Sequence, residues 1–488
     1  MRIRFEQQMS IGQRPIEDTP ISIKRKDSLT ELLAALKAIY CNKEYNEKIF
    51  KALEDAITKG KKKTGRKGMN LWQIFVLAQV RLCKNLSYDS LHDIANNHFT
   101  VRFLMGVERE YGFSRIEFEY QNIYDNLSVL SDELVKELND IVLEFGHKKV
   151  FKKKETAAFQ LKSDSFVVES NVHFPTDYNL LFDCVRKCLG TISIYLEKHN
   201  NIEGWRKITD WKSDIKGLMR EVGKVSSSGG KDKEKRVKAV VNNYLKKSKA
   251  LLKKLENKLP KLPMQDMIDL SLIITLEYFM QLMKKHIDLV ERRIIKGEEI
   301  PHSEKLFSIF ETYTEWVKKG KSRPNVELGK KLSITTDQYD LIVDYQLMNE
   351  EQDRDIVITI ADRLLKKYII KSWSFDKGYW NKDNKKLLQL VVPEVIMPKL
   401  GKRNKQEEEE EHSRSFKKLK NKHSAIESNI NELEHRGLDR CPERGIKHFT
   451  RYISLGVCAY NLKKIGHQIL KNEREALKEA NQKRLQAA

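Results

Sequence analysis

A chain of 488 residues, 40% of them hydrophobic, is long enough to bury the cores of two to four domains. Its formal net charge of +22 indicates a polyanionic partner, most simply nucleic acid, with a generally lysine-rich proteome as the alternative. The first residues lack the apolar run of a signal peptide. The six cysteines follow no disulfide or zinc spacing, so we expect core thiols in a reducing compartment.

Residues 1–150 have helical periodicity and are expected to form an all-helical N-terminal domain that contacts nucleic acid. Within them, a basic loop at 59–68 is interrupted by glycines and could follow a phosphate backbone or serve as a solvated linker. Its cations are Lys61, Lys62, Lys63 and Arg66. Two helices joined at 84–87 resemble a helix-turn-helix, a weak signal in any helical domain.

The next segment, 159–168, alternates apolar residues as a strand does and contains Asp164. A carboxylate in a central strand is costly to bury unless it is paired or holds a metal ion. Asp177 is expected to cap a helix that continues to about residue 197. Asp164 is therefore the first candidate site residue.

Residues 200–300 are expected to form a separate basic helical insertion. The stretch 231–261 has 12 Lys and Arg against 3 Asp and Glu, with apolar residues at helical spacing. Its clustered lysines are either contacts to DNA or part of a solvated hairpin: Lys246, Lys247, Lys253 and Lys254. The most hydrophobic stretch, 267–283, is too short to span a bilayer and is predicted to be a buried helix.

Strand patterns begin near residue 304. We predict a strand at 306–310, a hairpin turning at 337–340, a helix at 352–368 and a strand at 373–375 that ends at Asp376. Asn381 is expected to cap the next helix, followed by a strand at 391–397. One long helix from 407 to 433 carries Glu427, and an apolar helix at 448–471 precedes a charged tail. Asp376 either begins a turn or, at the end of a buried strand, is a catalytic group.

This order of elements predicts an α/β fold: a ribonuclease-H-like core with a large helical insertion after its first strand. Three carboxylates on separate elements could meet at one edge of such a sheet, namely Asp164, Asp376 and Glu427. Oxygen-only ligands suit two Mg²⁺ or Mn²⁺ ions for phosphodiester chemistry. Glu432 and Glu434 on the same helix are competitors for the third position.

Several ordered blocks resemble the bacterial insertion-sequence DDE transposases, specifically the ISNCY-like group. The blocks are DSFVVESNVHFPTD at 164–177, HSEKLFSIFE at 302–311, VELGK at 326–330, SFDKGY at 374–379, MPK at 397–399, HSAIESNINELE at 423–434 and GLDRCP at 437–442. The similarity covers roughly 159–199 and 301–470, and it is weaker over 69–107.

The resemblance implies that Asp164, Asp376 and Glu427 are the catalytic and metal-binding residues, with Lys377 and His423 close to the DNA. The chain also departs from related transposases, which have Tyr, Arg and Lys seven before, four before and seven after the catalytic Glu. Those positions here are Lys420, His423 and Glu434. His423, one turn before Glu427, could replace the arginine.

The resulting hypothesis is a prokaryotic, cytoplasmic and nucleoid-associated transposase that binds double-stranded element ends and target DNA, without a membrane association. A homodimer or higher oligomer is expected in the synaptic complex. The predicted segments are an N-terminal DNA-binding domain (1–150), the start of the core (151–199), the insertion (200–300), the rest of the core (301–470) and a tail (471–488). The alternatives are a catalytically silent DNA-binding descendant and a metal-dependent nuclease without strand transfer.

Overall fold

The computed structural model describes residues 2–5, 14–60, 68–108, 115–199, 205, 207–318 and 325–487. It divides into two compact units, which are considered separately. The first combines Met1–Asn171 with Val317–Ala488, and the second is Val172–Trp316. The boundaries expected near 150, 200 and 300 do not coincide with this division, because the helices before residue 150 pack into the same unit as the sheet.

The helices of the first unit that precede the sheet are α1 Ser28–Cys41, α2 Lys43–Ile57, α3 Leu71–Cys83, α4 Tyr88–Asn97, α5 Phe99–Leu104, α6 Tyr120–Leu127 and α7 Asp132–Phe145, and the last helix is α17 Ile446–Ala487. Helix α17 is surrounded by the others and is buried over its first half. Its neighbours α1, α3 and α7 supply apolar faces, and at Gly466 the helix meets α1 so closely that a Cβ would lie 1.7 Å from the Glu31 carbonyl oxygen. This helix is longer than the one predicted at 448–471: it continues to residue 487, and the residues after 470 are mostly exposed.

One mixed sheet forms the centre of this unit. Its strands are β1 Phe159–Ser170, β2 Glu315–Lys318, β3 Val326–Thr336, β4 Ile342–Leu347, β5 Ile370–Phe375, β6 Glu394–Ile396 and β7 Arg440–Cys441. Strand β1 is central, antiparallel to β3 and parallel to β5. β4 continues the antiparallel meander beside β3, and β6 is parallel to β5. The predicted hairpin is present, and helices and strands alternate after it as predicted.

The helices after the meander are shorter than their sequence patterns suggest. They are α12 Val357–Lys367, α13 Lys382–Gln389, α14 Lys405–His412, α15 Arg414–His423 and α16 Ala425–Leu433. The single helix predicted at 407–433 is wrong. Ser413 has an extended conformation and caps α15 through the Phe416 amide, while Ser424 separates α15 from α16. Asn381 caps α13 as predicted, through the amides of Asp383 and Asn384.

The second unit is a helical bundle with its own core. Its helices are α8 Asp177–Lys198, α9 Ile208–Ser227, α10 Lys233–Lys258 and α11 Met267–Val290. Their apolar side chains form one buried cluster, with Leu181, Tyr244 and Met283 fully buried. Helix α8 is capped by the Thr176 hydroxyl rather than by Asp177, whose carboxylate pairs with Arg293 at 2.5 Å.

Two further expectations concern apolar segments of this unit. Residues 306–310 are not a strand, because Ile309 enters the helical core and the Phe307 ring packs against Trp316. The stretch 267–283, predicted to be a buried helix, belongs to α11, which is buried along only one face.

No helix among the described residues has the length and apolar character needed to cross a bilayer. All six cysteines are free thiols, and all except Cys41 are buried.

Candidate active site

Asp164 lies within β1 and is the most strongly perturbed carboxylate of the sheet. Its Oδ1 accepts a hydrogen bond of 2.7 Å from the Ser165 amide. Burial raises the pKa of Asp164 to about 7, because a charged form is disfavoured away from water, and the Ser165 amide lowers it. Three neighbouring carboxylates raise it further: Asp376, Asp353 and Glu427. Acidic groups therefore surround this strand position.

Asp376 follows the last residue of β5 at the carboxyl end of that strand. Its amide donates to the Ser163 carbonyl at 3.3 Å, which extends the parallel pairing of β5 with β1. Because Ser163 precedes Asp164, this pairing places the two carboxylates on adjacent strands. The Asp376 side chain is exposed, and its Oδ2 accepts a hydrogen bond of 3.4 Å from the Gly378 amide at the start of a tight turn.

Glu427 lies in the first turn of α16, which is fixed through the buried side chains Ile426 and Leu433. Its own side chain is exposed at the border of that buried face. The charge of Glu427 raises the pKa of Asp164, so α16 brings this carboxylate near Asp164. Asp376 and Glu427 therefore both lie near Asp164, and their assignment as a catalytic set stays a prediction.

Glu432, a competitor for the third position, is already engaged by cations. Its carboxylate pairs with Lys463 at 2.6 Å, with Lys464 at 3.1 Å and with Arg436 at 3.1 Å. Burial raises the pKa of Glu432, but Lys464 and Lys463 outweigh it and lower the value to about 2. Glu432 therefore ties α16 to α17 and is not available as a metal ligand. Glu434 lies beyond it, in the turn that follows α16.

Asp353 is a fourth carboxylate at the site, and sequence reasoning missed it. It lies in the turn before α12, accepts a hydrogen bond of 2.7 Å from Ser165 Oγ and pairs with Lys331 Nζ at 2.8 Å. A Cβ at Gly378 would lie 2.8 Å from Asp353 Oδ2. Asp353 therefore touches both the residue after Asp164 and the turn after Asp376. The only sequence signal is the density of acids in residues 350–355, which has no periodicity.

The donor chemistry of this cluster suits a divalent cation. The neighbouring side chains that shift the pKa of Asp164 are all carboxylates, so the site offers hard oxygen ligands. Across the described ranges, no group of three His, Cys, Asp or Glu side chains is placed to hold one ion. The residues therefore fit Mg²⁺ or Mn²⁺ by chemistry, while their present positions are not those of a formed coordination sphere.

His423 does not have the environment of a cationic phosphate contact. Its Nδ1 lies 3.0 Å from Ser374 Oγ, and Nε2 is buried without a hydrogen-bond partner. Burial lowers the pKa of His423 to about 4, and Asp376 raises it only in part. The ring is therefore neutral at pH 7. It cannot supply the positive charge of an arginine, although the position itself is next to the site as expected.

The other predicted DNA contacts differ in their accessibility. Lys61, Lys62, Lys63 and Arg66 lie outside the described residues. Lys377 is exposed directly after Asp376, and Lys246 and Lys253 are exposed on α10.

The remaining two lysines of α10 are partly buried. Lys247 pairs with Asp214 at 2.8 Å and lies over the Trp211 ring. Lys254 lies 4.4 Å from the centre of the Trp205 ring, and burial lowers its pKa. Aromatic contacts thus hold both side chains against the bundle, which leaves Lys246 and Lys253 as the freer cations.

Residues 292–462 match the family model described as the transposase DDE domain, about a third of the chain, including Asp376 and Glu427. The match supports a DDE transposase family and a transposase function for this chain. No curated protein and no solved structure matches it.

Proposed function

We propose that this protein is the transposase of a bacterial insertion sequence of the ISNCY-like group, with a ribonuclease-H-like catalytic core. The observation that carries the proposal is the placement of Asp376 at the end of β5 beside Asp164 of β1, through the hydrogen bond from the Asp376 amide to the Ser163 carbonyl. Glu427 of α16 is close enough for its charge to raise the pKa of Asp164. The strand order around β1, an antiparallel meander followed by two parallel strands, supports the same core. The transposase DDE domain match supports the reaction class.

In this proposal Asp164, Asp376 and Glu427 would hold two Mg²⁺ or Mn²⁺ ions. Bound divalent cations activate a water or a 3′-hydroxyl and stabilise the leaving oxygen of a phosphodiester. Asp353 positions the site, because it accepts a hydrogen bond from Ser165 and because its carboxylate leaves no room for a Cβ at Gly378. His423, neutral and bonded to Ser374, supports the end of β5 rather than a phosphate.

The proposed partner is double-stranded DNA, as element ends and as target. The exposed cations Lys377, Lys246 and Lys253 are the contacts that this proposal assigns to phosphates. Phosphate contacts of this kind fix position without reading sequence. Two copies or more would be needed to hold both ends of an element in a synaptic complex.

The decisive experiment compares Glu427→Gln with Glu434→Gln on supercoiled DNA carrying the element ends. Glu434 lies seven residues on, about 10 Å along a helix, too far to share the same ions. We expect Glu427→Gln to abolish cleavage in Mg²⁺ and Glu434→Gln to retain it. Asp164→Asn and Asp376→Asn should also be inactive while binding DNA normally, because an amide keeps the shape without the charge.

Product analysis separates the possible functions. A transposase yields joined DNA products, whereas a nuclease yields only cleaved ones. Cleavage at the wild-type rate by Asp376→Asn would refute the assignment of the site. The absence of any strand cleavage by the wild-type protein, with intact binding, would indicate a silent DNA-binding descendant.

A further inference from the structure

Strand β4 lies at an edge of the mixed sheet, and its outer side is only partly covered. Among the described strands, β3 alone pairs with β4. The Met348 amide donates to the Lys331 carbonyl, and this register turns the amides and carbonyls of Tyr345 and Leu347 away from β3. Within the described ranges, no residue forms a hydrogen bond to these outward groups. They form a short stretch of unpaired strand edge.

The covered end of the same edge shows which chemistry fits it. The Asn461 side chain donates to the Ile342 carbonyl at 3.0 Å and accepts from the Ile342 amide at 2.8 Å. This carboxamide pairs with β4 as a residue of a neighbouring strand would, since it offers a donor and an acceptor together. Further along the strand, at Tyr345 and Leu347, the equivalent pairing is open.

A cleft follows this open edge. Its volume is about 670 Å³, and its walls come from α7, α12 and α17. On one face of β4, Arg363 of α12 binds the side chains of Asp344 and Gln346. On the other face, Lys136 of α7 lies over the Tyr345 ring. Because helices cover both faces, a ligand of the edge has to be narrow, as a single extended chain is.

The walls of the cleft differ in chemistry, and this difference selects the side chains of a ligand. Ile446 and Ile453 make the α17 wall apolar, and Ile446 is 41% exposed. The α12 wall presents Arg363 and Lys367, each paired with one aspartate that a further carboxylate could join. Side chains of an extended segment alternate between the two faces. A segment that alternates apolar and acidic residues therefore suits both walls, and the net charge of +22 attracts it.

We propose that β4 is a docking site for an extended segment of another protein, with alternating apolar and acidic residues, which adds to the sheet as an antiparallel strand. Its apolar residues lie opposite Tyr345 and Leu347 and exchange backbone hydrogen bonds with them. A helix has its own backbone groups bonded internally, and the DNA backbone offers acceptors but no donors, so neither pairs with this edge. The inference does not depend on the proposed DNA chemistry.

The test measures fluorescence polarisation of a labelled peptide with the full-length protein. The probe is Glu-Val-Glu-Val-Glu, with fluorescein at its N-terminus and an amide at its C-terminus. We expect saturable binding with a dissociation constant below about 1 mM. Methylation of both valine nitrogens should weaken binding at least ~10-fold, because these amides donate to β4. Methylation of the two glutamate nitrogens that follow the valines should change it less than ~3-fold, because those amides point away.

Two variants of Leu347 test the same contact from the protein side. Leu347→Pro removes an amide that points away from β3, which an edge strand tolerates, and should weaken peptide binding at least ~10-fold. Leu347→Ala keeps the amide and should bind within ~3-fold of wild type. The methylated peptides use the wild-type protein, so they decide the question even if Leu347→Pro does not fold. No saturable binding, equal binding of the two methylated peptides, or unchanged binding by a folded Leu347→Pro would each overturn the proposal.

Discussion

Replacement of Glu432 by glutamine should destabilise the protein without removing a ligand from the active site. The carboxylate is bound by three cations, and its side chain is 20% exposed. Its pKa falls from an ordinary 4.5 to about 2. At ~1.4 kcal/mol per pKa unit this corresponds to roughly 3 kcal/mol, which solvent screening reduces to about 2 kcal/mol. We expect Glu432→Gln to lose about that much at pH 7.

The pH dependence of this effect has a definite sign. A carboxylate whose folded pKa is lowered stabilises the protein fully above its unfolded pKa of 4.5, and this contribution is lost as the pH falls towards 2. The difference between wild type and Glu432→Gln should therefore be largest at pH 6 to 7, fall to about half by pH 3 and become small only near pH 2. Urea unfolding followed by tryptophan fluorescence measures it at each pH.

Glu434→Gln is the matched control, because it changes the same side chain two residues away, outside the cluster formed by Lys463, Lys464 and Arg436. Equal urea midpoints for the two variants at pH 7 would refute the reasoning. A deficit that stays constant down to pH 3 would refute it as well, since it would then arise from packing rather than charge.

Three further outcomes are expected. Lys246→Gln combined with Lys253→Gln should reduce the slope of log affinity for DNA against log salt by about 1.8, at ~0.9 for each lost phosphate contact. Gly466→Ala should lower the thermal unfolding temperature strongly, because the added methyl group would lie 1.7 Å from a carbonyl oxygen of α1. Asp353→Asn should reduce DNA cleavage ~10- to 100-fold, as loss of a residue that orients ligands does, and raise the Mg²⁺ concentration needed for half-maximal activity.

Each of these has a close control in the same chain. Lys247→Gln should change the salt slope less, because its ammonium group pairs with Asp214. Gly217→Ala in α9 adds a methyl group where no atom lies within 4 Å and should not lower the unfolding temperature. Asp362→Asn alters an exposed acid of α12 and should leave cleavage unchanged. Equal effects in a variant and its control would contradict the corresponding prediction.

Local sequence signals predicted much of the sheet and its carboxylates. The hairpin at 337–340 and the cap at Asn381 depend on short-range turn and capping chemistry, which a sequence displays directly. Asp164 and Asp376 were predicted as site residues because a polar residue in or after an apolar strand is conspicuous. Glu427 needed the family resemblance in addition, since its helix contains several acids.

Other features depend on contacts between distant residues and could not be predicted this way. Asp353 is held at the candidate site by a hydrogen bond from Ser165 and an ion pair with Lys331, and neither residue is near it in sequence. The histidine at 423 was expected to be cationic, but burial beside Ser374 makes it neutral. Helix α11 has an apolar composition that indicates burial, yet a sequence does not show how many of its faces find a neighbour within one chain.

The second unit lies in the sequence between strands β1 and β3, and this order has a consequence for synthesis. Strand β1 ends at Ser170, and its neighbour β3 begins at Val326, so 156 residues must follow before the central strand can pair. At ~5–20 residues per second, this delay lasts about 8 to 30 s. The second unit, whose helices contact one another within that interval, can fold first on the ribosome. During this time β1 has two unpaired edges, so slow translation of 172–325 would favour aggregation through this strand.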